Sequence, residues 1–460
     1  MACAHRRAGG PLPVVGSAPR AALEYDVVHD GAGTLDVEAS IPPGFARPFS
    51  VDGPAIPFVR DVAFVEDGRT RAAPRVGGAW DLSSCSAGCR VRYRVALAEA
   101  CETIGDISTA QAFHGLQEAP PSTWLLAPTD ADEATRIAFR VRTPPPLVFV
   151  TGVFRSPEGG GVHALTWGDL QTSPYSGFGG VRTLEIPVPG ASITLALDGP
   201  FDVGDGALAG WVKANAEAVA GWFGRFPVPH ALVILVSGGA ADIDFGKSLS
   251  GGGASVFLRV GARAGRQDLA RDWVLAHELV HLGFPAQPRY RDWMEEGLAT
   301  YVEPLARAKA GLLDDAAVWR GFLTGMHFGL PERGDRGLDR THTWGRVYWG
   351  GALFWLVADL EIRRRTAGAR SLRHALAAIV AAGGNNAVRC AAPEACRVGD
   401  AATGTTVLAE MVQAWSEGPV DPQLDAVYMY LGVALGDGGE VLLDDRAPGS
   451  ATRRTLTRAP

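Results

Sequence analysis

Residues 276–282 read AHELVHL, a pattern that predicts a helix built around a metal ion. Residues four apart in a helix lie one turn apart on the same face, so His277 and His281 can bind one metal ion. Glu278 lies beside them, where its carboxylate can take a proton from a water molecule at that metal. The neighbouring residues are mostly apolar, so we expect a buried helix, in which a His-Glu-His set without a metal would be costly.

A second stretch offers the third ligand. Catalytic zinc takes three protein ligands and leaves its fourth position to water. Residues 293–301 read WMEEGLATY, and Glu296 stands fifteen residues after His281. Glu295 and Glu296 are about 100° apart around a helix, so only one can face the metal. The alternative interpretation is a solvated acidic turn at a helix start, which the helix dipole would favour.

Taken together, H-E-x-x-H and the following W-x-x-E-G-x-A-x-Y resemble the gluzincin metallopeptidases. Residues 347–352 (VYWGGA) and 359–372 (DLEIRRRTAGARSL) are similar to a third block of one group, the glycyl aminopeptidase family. The aminopeptidase N and leukotriene hydrolase family resembles the chain more distantly. The resemblance covers roughly residues 207–376. Only about forty residues follow the helical region, too few for the PDZ module usual in glycyl aminopeptidases, so none is expected.

The resemblance implies a role for each matching residue. Glu296 would be the third zinc ligand, and Tyr348 would stabilise the oxyanion of the tetrahedral intermediate. Without the resemblance, Tyr348 would be interpreted as an aromatic core residue at helical spacing. Thr300 and Glu303 follow Glu296 on the same helix face and are expected to orient the zinc ligands.

A glycine-led strand is the expected binding place for the substrate backbone, by addition of the substrate as a further strand. Its first residues are Gly251, Gly252, Gly253 and Ala254. The related families carry a glutamate here that binds the free amino terminus of the substrate, and this strand has none. Glu118, in the predicted β domain, is another carboxylate that could bind the amino terminus of the substrate. Cleavage at the amino terminus and cleavage at internal bonds therefore both stay open.

The composition describes a globular chain without an obvious charged partner. Of 460 residues, 47% are hydrophobic and 20% are charged, and the formal net charge is −7. So mild an acidity argues against a nucleic-acid or anionic-membrane partner. The sequence has no apolar run of the roughly 18 residues that a transmembrane helix needs.

The pattern along the chain predicts a multidomain protein. Residues 1–20 are expected to be a disordered or processed segment. Residues 21–200 alternate polar and apolar positions, which predicts an all-β, sandwich-like domain. Residues 201–312 are expected to form a thermolysin-like α+β zinc domain, and residues 313–460 an α-helical region. Within these, helices are predicted over residues 266–282, 292–310 and 344–366.

The cysteines favour an oxidising compartment. Cys85, Cys89 and Cys101 fall in one short stretch, with connectivity left open and one thiol expected to stay free, and Cys390 and Cys396 bracket a small loop. Close pairs without a C-x-x-C motif favour disulfides, and hence export to the periplasm, cell surface or medium. Cys3 is a weak candidate for a lipid anchor, against an incidental cysteine.

The sequence therefore predicts a zinc-dependent peptidase, aminopeptidase-like by resemblance, with a peptide or protein as substrate. Three alternatives remain: a zinc endopeptidase, a peptidase-like protein that binds peptides without cutting them, and a zinc hydrolase acting on another bond. All the chemical groups expected for catalysis are present in the sequence, which argues against a protein that binds peptides without cutting them.

Overall fold

The structure, a computed structural model, describes residues 22–239 and 242–458. The predicted N-terminal segment of residues 1–20, and Cys3 within it, lie outside the described residues. Among the described residues, no helix is both long and apolar enough to cross a membrane.

The N-terminal part of the chain is built from strands arranged in three sheets. The strands are β1 (Leu23–His29), β2 (Leu35–Ile41), β3 (Pro48–Ser50), β4 (Val59–Glu66), β5 (Arg69–Ala72), β6 (Arg75–Val76), β7 (Ala79–Asp81), β8 (Cys89–Val95), β9 (Gln111–Ala112), β10 (Leu116–Glu118), β11 (Ala127–Pro128), β12 (Arg136–Arg142), β13 (Val148–Thr151), β14 (His163–Thr166) and β15 (Ser176–Gly179). The first sheet has the order β14-β12-β1-β2-β8-β4-β5, the second β13-β15-β10-β9 and the third β11-β3-β7-β6. Three short helices join them: α1 (Leu97–Ile104), α2 (Pro121–Trp124) and α3 (Trp167–Leu170).

Alternating burial in these strands confirms the predicted all-β region. In β1, Leu23, Tyr25 and Val27 are buried while Glu24 and Asp26 are exposed. The inward residues form one hydrophobic core between the sheets. A strand with one face in solvent and one in the core alternates polar and apolar residues, so the local sequence determines which residues point inward.

The next sheet carries the candidate site at its margin. It has five strands in the order β16-β17-β18-β20-β19: β16 (Arg182–Val188), β17 (Ala191–Asp198), β18 (His230–Gly238), β19 (Ile243–Ser250) and β20 (Ala254–Gly261). Strand β18 is apolar without alternation because both of its faces are covered. Val233 and Leu235 pack on the helical side, and Leu232 and Ile234 on the side of the N-terminal sheets. In the described residues, the two edge strands of this sheet are β16 and β19.

Helices form most of the remaining chain, as predicted. They are α4 (Asp205–Phe223), α5 (Arg266–Arg271), α6 (Val274–His281), α7 (Asp292–Lys309), α8 (Asp315–Gly325), α9 (Gly351–Arg365), α10 (Leu372–Ala381), α11 (Ala392–Thr403), α12 (Val407–Glu417), α13 (Leu424–Leu431) and α14 (Ser450–Thr457). A π-helical turn, Arg346–Gly350, leads into α9, and a short hairpin, β21 (Val433–Leu435) and β22 (Val441–Leu443), interrupts the series. The single helix predicted over residues 266–282 is wrong, because the backbone is extended at Asp272 and divides it into α5 and α6.

The cysteine predictions have a mixed outcome. Cys85 and Cys89 form a disulfide, and Cys101 is a buried thiol. The predicted disulfide between Cys390 and Cys396 is not formed. Both residues are buried, and burial raises the pKa of the Cys396 thiol.

Helices α7 and α9 cross at two glycines, directly beside the candidate ligand Glu296. A methyl group added at Gly297 would lie 2.3 Å from the backbone of Gly351. One added at Gly351 would lie 2.0 Å from the carbonyl oxygen of Trp293. Backbones this close leave no room for any side chain, so the crossing requires glycine at both positions.

We expect Gly297→Ala to lower the free energy of unfolding by about 1–3 kcal/mol, since the added methyl group must force the two helices apart. Gly321→Ala is the matched control. Gly321 lies in α8 with nothing within 4 Å of its added methyl group, so alanine there should stabilise by roughly 0.5–1 kcal/mol. Urea denaturation measures the free energy of unfolding of both variants. Equal stability of the two variants would contradict the tight crossing.

Candidate metal and catalytic site

Helix α6 begins immediately before the His-Glu-His motif and is fixed there by Asp272. The Asp272 carboxylate accepts hydrogen bonds of 3.0 Å from the backbone N–H groups of both Val274 and Leu275. A carboxylate at a helix start satisfies donors that have no partner in the helix and lies at the positive end of its dipole. The break at Asp272, which the sequence did not predict, therefore supplies the cap that fixes the start of α6.

His277, His281 and Glu296 converge on one point, as predicted. Their ligand atoms all lie within 4.8 Å of one another. The Oε2 atom of Glu296 is 3.2 Å from Nε2 of His277 and 3.6 Å from Nε2 of His281. A tetrahedral zinc ion with bonds of about 2.0–2.1 Å places its ligands about 3.3 Å apart. Two imidazoles and one carboxylate fit zinc in donor type, and the two distances from Glu296 fit it in spacing.

The three groups are electrostatically coupled. Burial alone would raise the pKa of Glu296, but the charges of His281 and His277 bring that pKa below its usual range. Burial alone would lower the pKa of His281, and the attraction of Glu296 instead raises it to about 9. The side chain of Glu296 is 27% exposed, whereas those of the two histidines are 6% and 10% exposed, so the group opens to solvent at Glu296.

Glu278 and Tyr348 lie beside this group. Glu278 is buried, and a methyl group at Gly246 of β19 would lie 3.4 Å from its Oε1 atom, so its carboxylate faces the edge strand. The Tyr348 ring lies in the π-helical turn with its centroid 6.3 Å from that of His277. Burial raises the pKa of Tyr348, and the charges of Glu296 and Glu278 raise it further. Its hydroxyl is thus protonated and can donate a hydrogen bond.

Glu295 points away from the candidate ligands. Its Oε1 atom accepts a hydrogen bond from the backbone N–H of Gln287. Burial raises the pKa of Glu295 to about 7, partly offset by the charge of His281. The geometry therefore distinguishes the two adjacent glutamates, which the sequence could separate only through the family resemblance.

Thr300 and Glu303 do not orient the ligands in the way we expected. The Thr300 hydroxyl donates to the backbone carbonyl of Glu296 at 2.8 Å, within the same helix. Glu303 accepts a 2.7 Å hydrogen bond from Arg307, and both side chains are buried. Neither side chain forms a hydrogen bond with the side chain of a candidate ligand in the described part of the chain.

The expected role of Gly251, Gly252, Gly253 and Ala254 as a substrate-binding edge is wrong. These residues form the turn and the start of β20, and β20 lies inside the sheet between β18 and β19. Methyl groups at the three glycines would lie 2.2–2.7 Å from atoms of the N-terminal sheets and their connections. The glycines therefore allow two parts of the protein to pack closely, and leave no room for a substrate.

The strand beside the catalytic helix is β19, whose importance the sequence did not reveal. Gly246 lies against α6, and the next residue, Lys247, extends its ammonium group to the Ser108 hydroxyl. The charge of Lys247 also lowers the pKa of Glu118, against the stronger effect of burial. A weakly apolar stretch with one glycine, IDFGKSLS, gave no sign that it borders the site.

Glu118 is buried in the N-terminal sheets, where the charge of Lys247 and the backbone of Ser176 only partly offset the effect of burial on its pKa. The Glu118 side chain is fully buried, and neither of its carboxylate oxygens has a hydrogen-bond partner among the described residues. Burial raises its pKa, and the nearby Asp106 raises it further. Burial raises the pKa of Tyr175, and the charges of Glu118 and Glu278 raise it further. A buried carboxyl group without a partner is a strong site for a positively charged ligand group.

Comparison with solved structures identifies the fold. The chain superposes on an aminopeptidase N family protein from Idiomarina loihiensis with a TM-score of 0.60, at 15% identity, covering 79% of this chain and 70% of that one. It superposes on an M1 zinc metallopeptidase from Deinococcus radiodurans with a TM-score of 0.51, at 16% identity, covering 87% of this chain and 94% of that one. A mutant of the latter type, bound to a Tyr-Ser-Ala substrate, gives a TM-score of 0.52 at 15% identity, over 86% and 93% of the two chains.

A scan of the chain against protein-family models finds no match, and a search of curated proteins finds no relative. The fold is therefore shown by structure alone. It is the fold of these aminopeptidase N family and M1 zinc metallopeptidase structures, with an N-terminal β region and a helical C-terminal region. The nearer resemblance to the glycyl aminopeptidases stays a prediction.

Zinc binding tests the assignment of ligands. We expect the purified protein to hold one zinc ion per chain, and Glu296→Ala to lose it on dialysis against a chelator. Removing a ligand should weaken binding by more than the roughly 10–100-fold caused by losing a residue that only supports a ligand. Glu295→Ala is the matched control and should keep its zinc. Elemental analysis after dialysis gives the answer, and the reverse pattern would refute the assignment.

Proposed function

We propose that the protein is a zinc-dependent peptidase. The observation that carries this proposal is the convergence of His277, His281 and Glu296 at zinc-ligand spacing, with Glu278 and Tyr348 alongside. The fold shared with zinc metallopeptidases supports it.

Each side chain has a distinct task in the proposed reaction. His277, His281 and Glu296 would hold zinc, which supplies electrophilic activation of a peptide carbonyl and makes water more acidic. Glu278 takes the proton of the attacking water and then delivers it to the leaving amine. The Tyr348 phenol donates a hydrogen bond to the oxygen that gains negative charge.

Strand β19 is the proposed partner of the substrate backbone. In the described residues, β19 is one of the two edge strands of the five-stranded sheet, and Gly246 within it lies against Glu278. An extended peptide can pair with such an edge through main-chain hydrogen bonds, independently of its side chains. The substrate-binding role expected for residues 251–254 thus moves to residues 243–250.

Aminopeptidase specificity is the finer proposal, with Glu118 as the group that reads the substrate's amino terminus. In the described part of the chain, its buried carboxylate oxygens have no hydrogen-bond partner, and the charges of both Glu118 and Glu278 act on Tyr175. An ammonium group would supply the missing donor.

Endopeptidase activity is the second candidate, and Lys247 favours it. The ammonium group of Lys247 already lies near Glu118, so part of the negative charge that would attract an amino terminus is compensated within the protein. The edge strand contributes no carboxylate beyond Asp244, which pairs with Arg259 at 2.7 Å.

Export is a separate proposal. The Cys85–Cys89 disulfide supports it, because structural disulfides persist mainly in oxidising compartments.

Turnover in two variants tests the mechanism. We expect Glu278→Gln to retain zinc and to lose about 10²–10⁴-fold in kcat, the usual worth of a general base. Tyr348→Phe should lose roughly 10²–10³-fold, the worth of one donor to an oxyanion. Zinc content is the control, because only a loss of rate at full zinc occupancy separates chemistry from metal binding. Wild-type rates in both variants would refute the mechanism.

Paired peptides that differ only in acetylation of the amino terminus test where the substrate is cut. We expect acetylation to abolish cleavage, since a buried carboxyl group built to receive an amine would be left without its partner. Glu118→Gln should then slow cleavage of the free peptide much more than it slows any cleavage of the acetylated one. Mass spectrometry identifies the products. Internal cleavage of acetylated peptides at similar rates would instead establish the endopeptidase.

A further inference from the structure

The tryptophan and phenylalanine side chains are almost all inside the protein, and the exceptions lie together. All twelve tryptophans and all eighteen phenylalanines belong to the described residues. Only Trp273, Phe328 and Trp344 among them are exposed, at 54%, 52% and 60% of full accessibility. Exposing large apolar side chains to water is unfavourable, so a cluster of them marks a surface that receives a ligand.

These three side chains, here called the aromatic rim, form one row of ring contacts with the candidate site. The Trp273 ring stands edge-on to His277, with centroids 5.4 Å apart. Tyr348 lies nearly parallel to His277 at 6.3 Å and to Trp344 at 6.1 Å. Phe328 completes the row at 5.7 Å from Trp344. His277 and Tyr348 therefore lie between Trp273 at one end and Trp344 and Phe328 at the other.

The rim is held on rigid elements. Trp273 directly precedes α6, one helical turn before His277. Phe328 lies in a short helical turn, Met326–Gly329, that packs against the segment carrying Trp344 and Tyr348. A methyl group at Gly345 would lie 2.2 Å from the carbonyl oxygen of Phe328, so the two segments are in backbone contact. A ligand of this rim therefore meets aromatic residues whose backbone is already fixed by the fold, which limits the cost of ordering on binding.

We propose that the aromatic rim binds large apolar side chains of a peptide substrate on the two sides of the bond that is cut. This inference rests on the proposed peptidase function and names the substrate class. A peptide that crosses the candidate site must pass Trp273 at one end of the row and Trp344 and Phe328 at the other. Aromatic substrate side chains can stack on, or meet edge-on, the exposed rings at both ends.

A permanent partner is a poorer occupant of the same surface. His277 and Tyr348 are in the middle of the row, so a second copy of the chain or a bound protein covering the rim would also cover the catalytic groups. A substrate occupies the rim only during turnover. The continuity of the row with the candidate ligands thus favours a peptide.

The experiment compares matched peptides with phenylalanine or alanine on one side, or the other, of the cut bond. In the zinc-loaded wild type, we expect phenylalanine to raise kcat/KM by about tenfold or more at each position. Trp344→Ala should lower this phenylalanine-to-alanine ratio at one position and Trp273→Ala at the other. Trp344→Phe and Trp273→Phe should restore most of it. Met429→Ala, which removes a side chain 76% exposed on α13, should leave the ratio unchanged.

A binding measurement separates failure of this inference from failure of the proposed function. In zinc-loaded Glu278→Gln protein, Trp273 and Trp344 are the exposed tryptophans, so acrylamide quenching of fluorescence reports on the rim. A phenylalanine peptide should protect both from quenching, and its alanine counterpart should protect them at least about tenfold more weakly. Protection without turnover of any peptide in the wild type would support the rim and refute the peptidase.

Three results would overturn the inference. The first is a phenylalanine-to-alanine ratio that is the same in the rim variants as in the wild type. The second is equal protection by the two peptides. The third is a wild-type dimer that becomes monomeric in Trp344→Ala by light scattering, which would make the rim an interface between copies of the chain.

Discussion

The structure depends on bringing a carboxylate from one helix to two imidazoles of another. His277 and His281 are placed by the period of α6, but Glu296 reaches them only because α7 packs in the correct orientation. One residue from the ligand, the backbone contact between Gly297 and Gly351 holds α7 closely against α9. Three polar groups that burial would disfavour are thus stabilised by one another and, in the proposed function, by zinc.

The parts of the site that could be predicted are those encoded by local periodicity. The four-residue spacing of the histidines, the helix around Glu296 and the alternation of the N-terminal strands are all readable within a few residues, and the structure has each of them. The choice of Glu296 over Glu295 needed the family pattern, and the hydrogen bond of Glu295 to the Gln287 backbone gives its physical basis. The division of the chain into domains at residues 200 and 312 stays a prediction.

The errors concern features set by contacts distant in sequence. The strand order of the sheet places β19 at an edge and β20 inside. The eight residues of either strand contain no information on which strands will pair with it. The glycines at 251–253 do allow a close approach, but the groups that approach belong to the N-terminal sheets and their connections and not to a substrate. Likewise, the helix is broken at Asp272, whose carboxylate caps the start of α6 by accepting hydrogen bonds from its first backbone N–H groups.

Strand β19 also limits what kind of molecule can reach Glu278. Along its length the strand is mostly half-buried, with α6 packed so closely that a methyl group at Gly246 would lie 2.4 Å from Val274. A pairing irregularity between Ile243 and Phe245 further distorts its start. Such an edge admits one thin, extended chain but not the broad edge of a folded sheet. In the proposed function, the geometry that would receive an unfolded peptide would also hinder intact proteins, including other copies of this chain, from aligning with the strand.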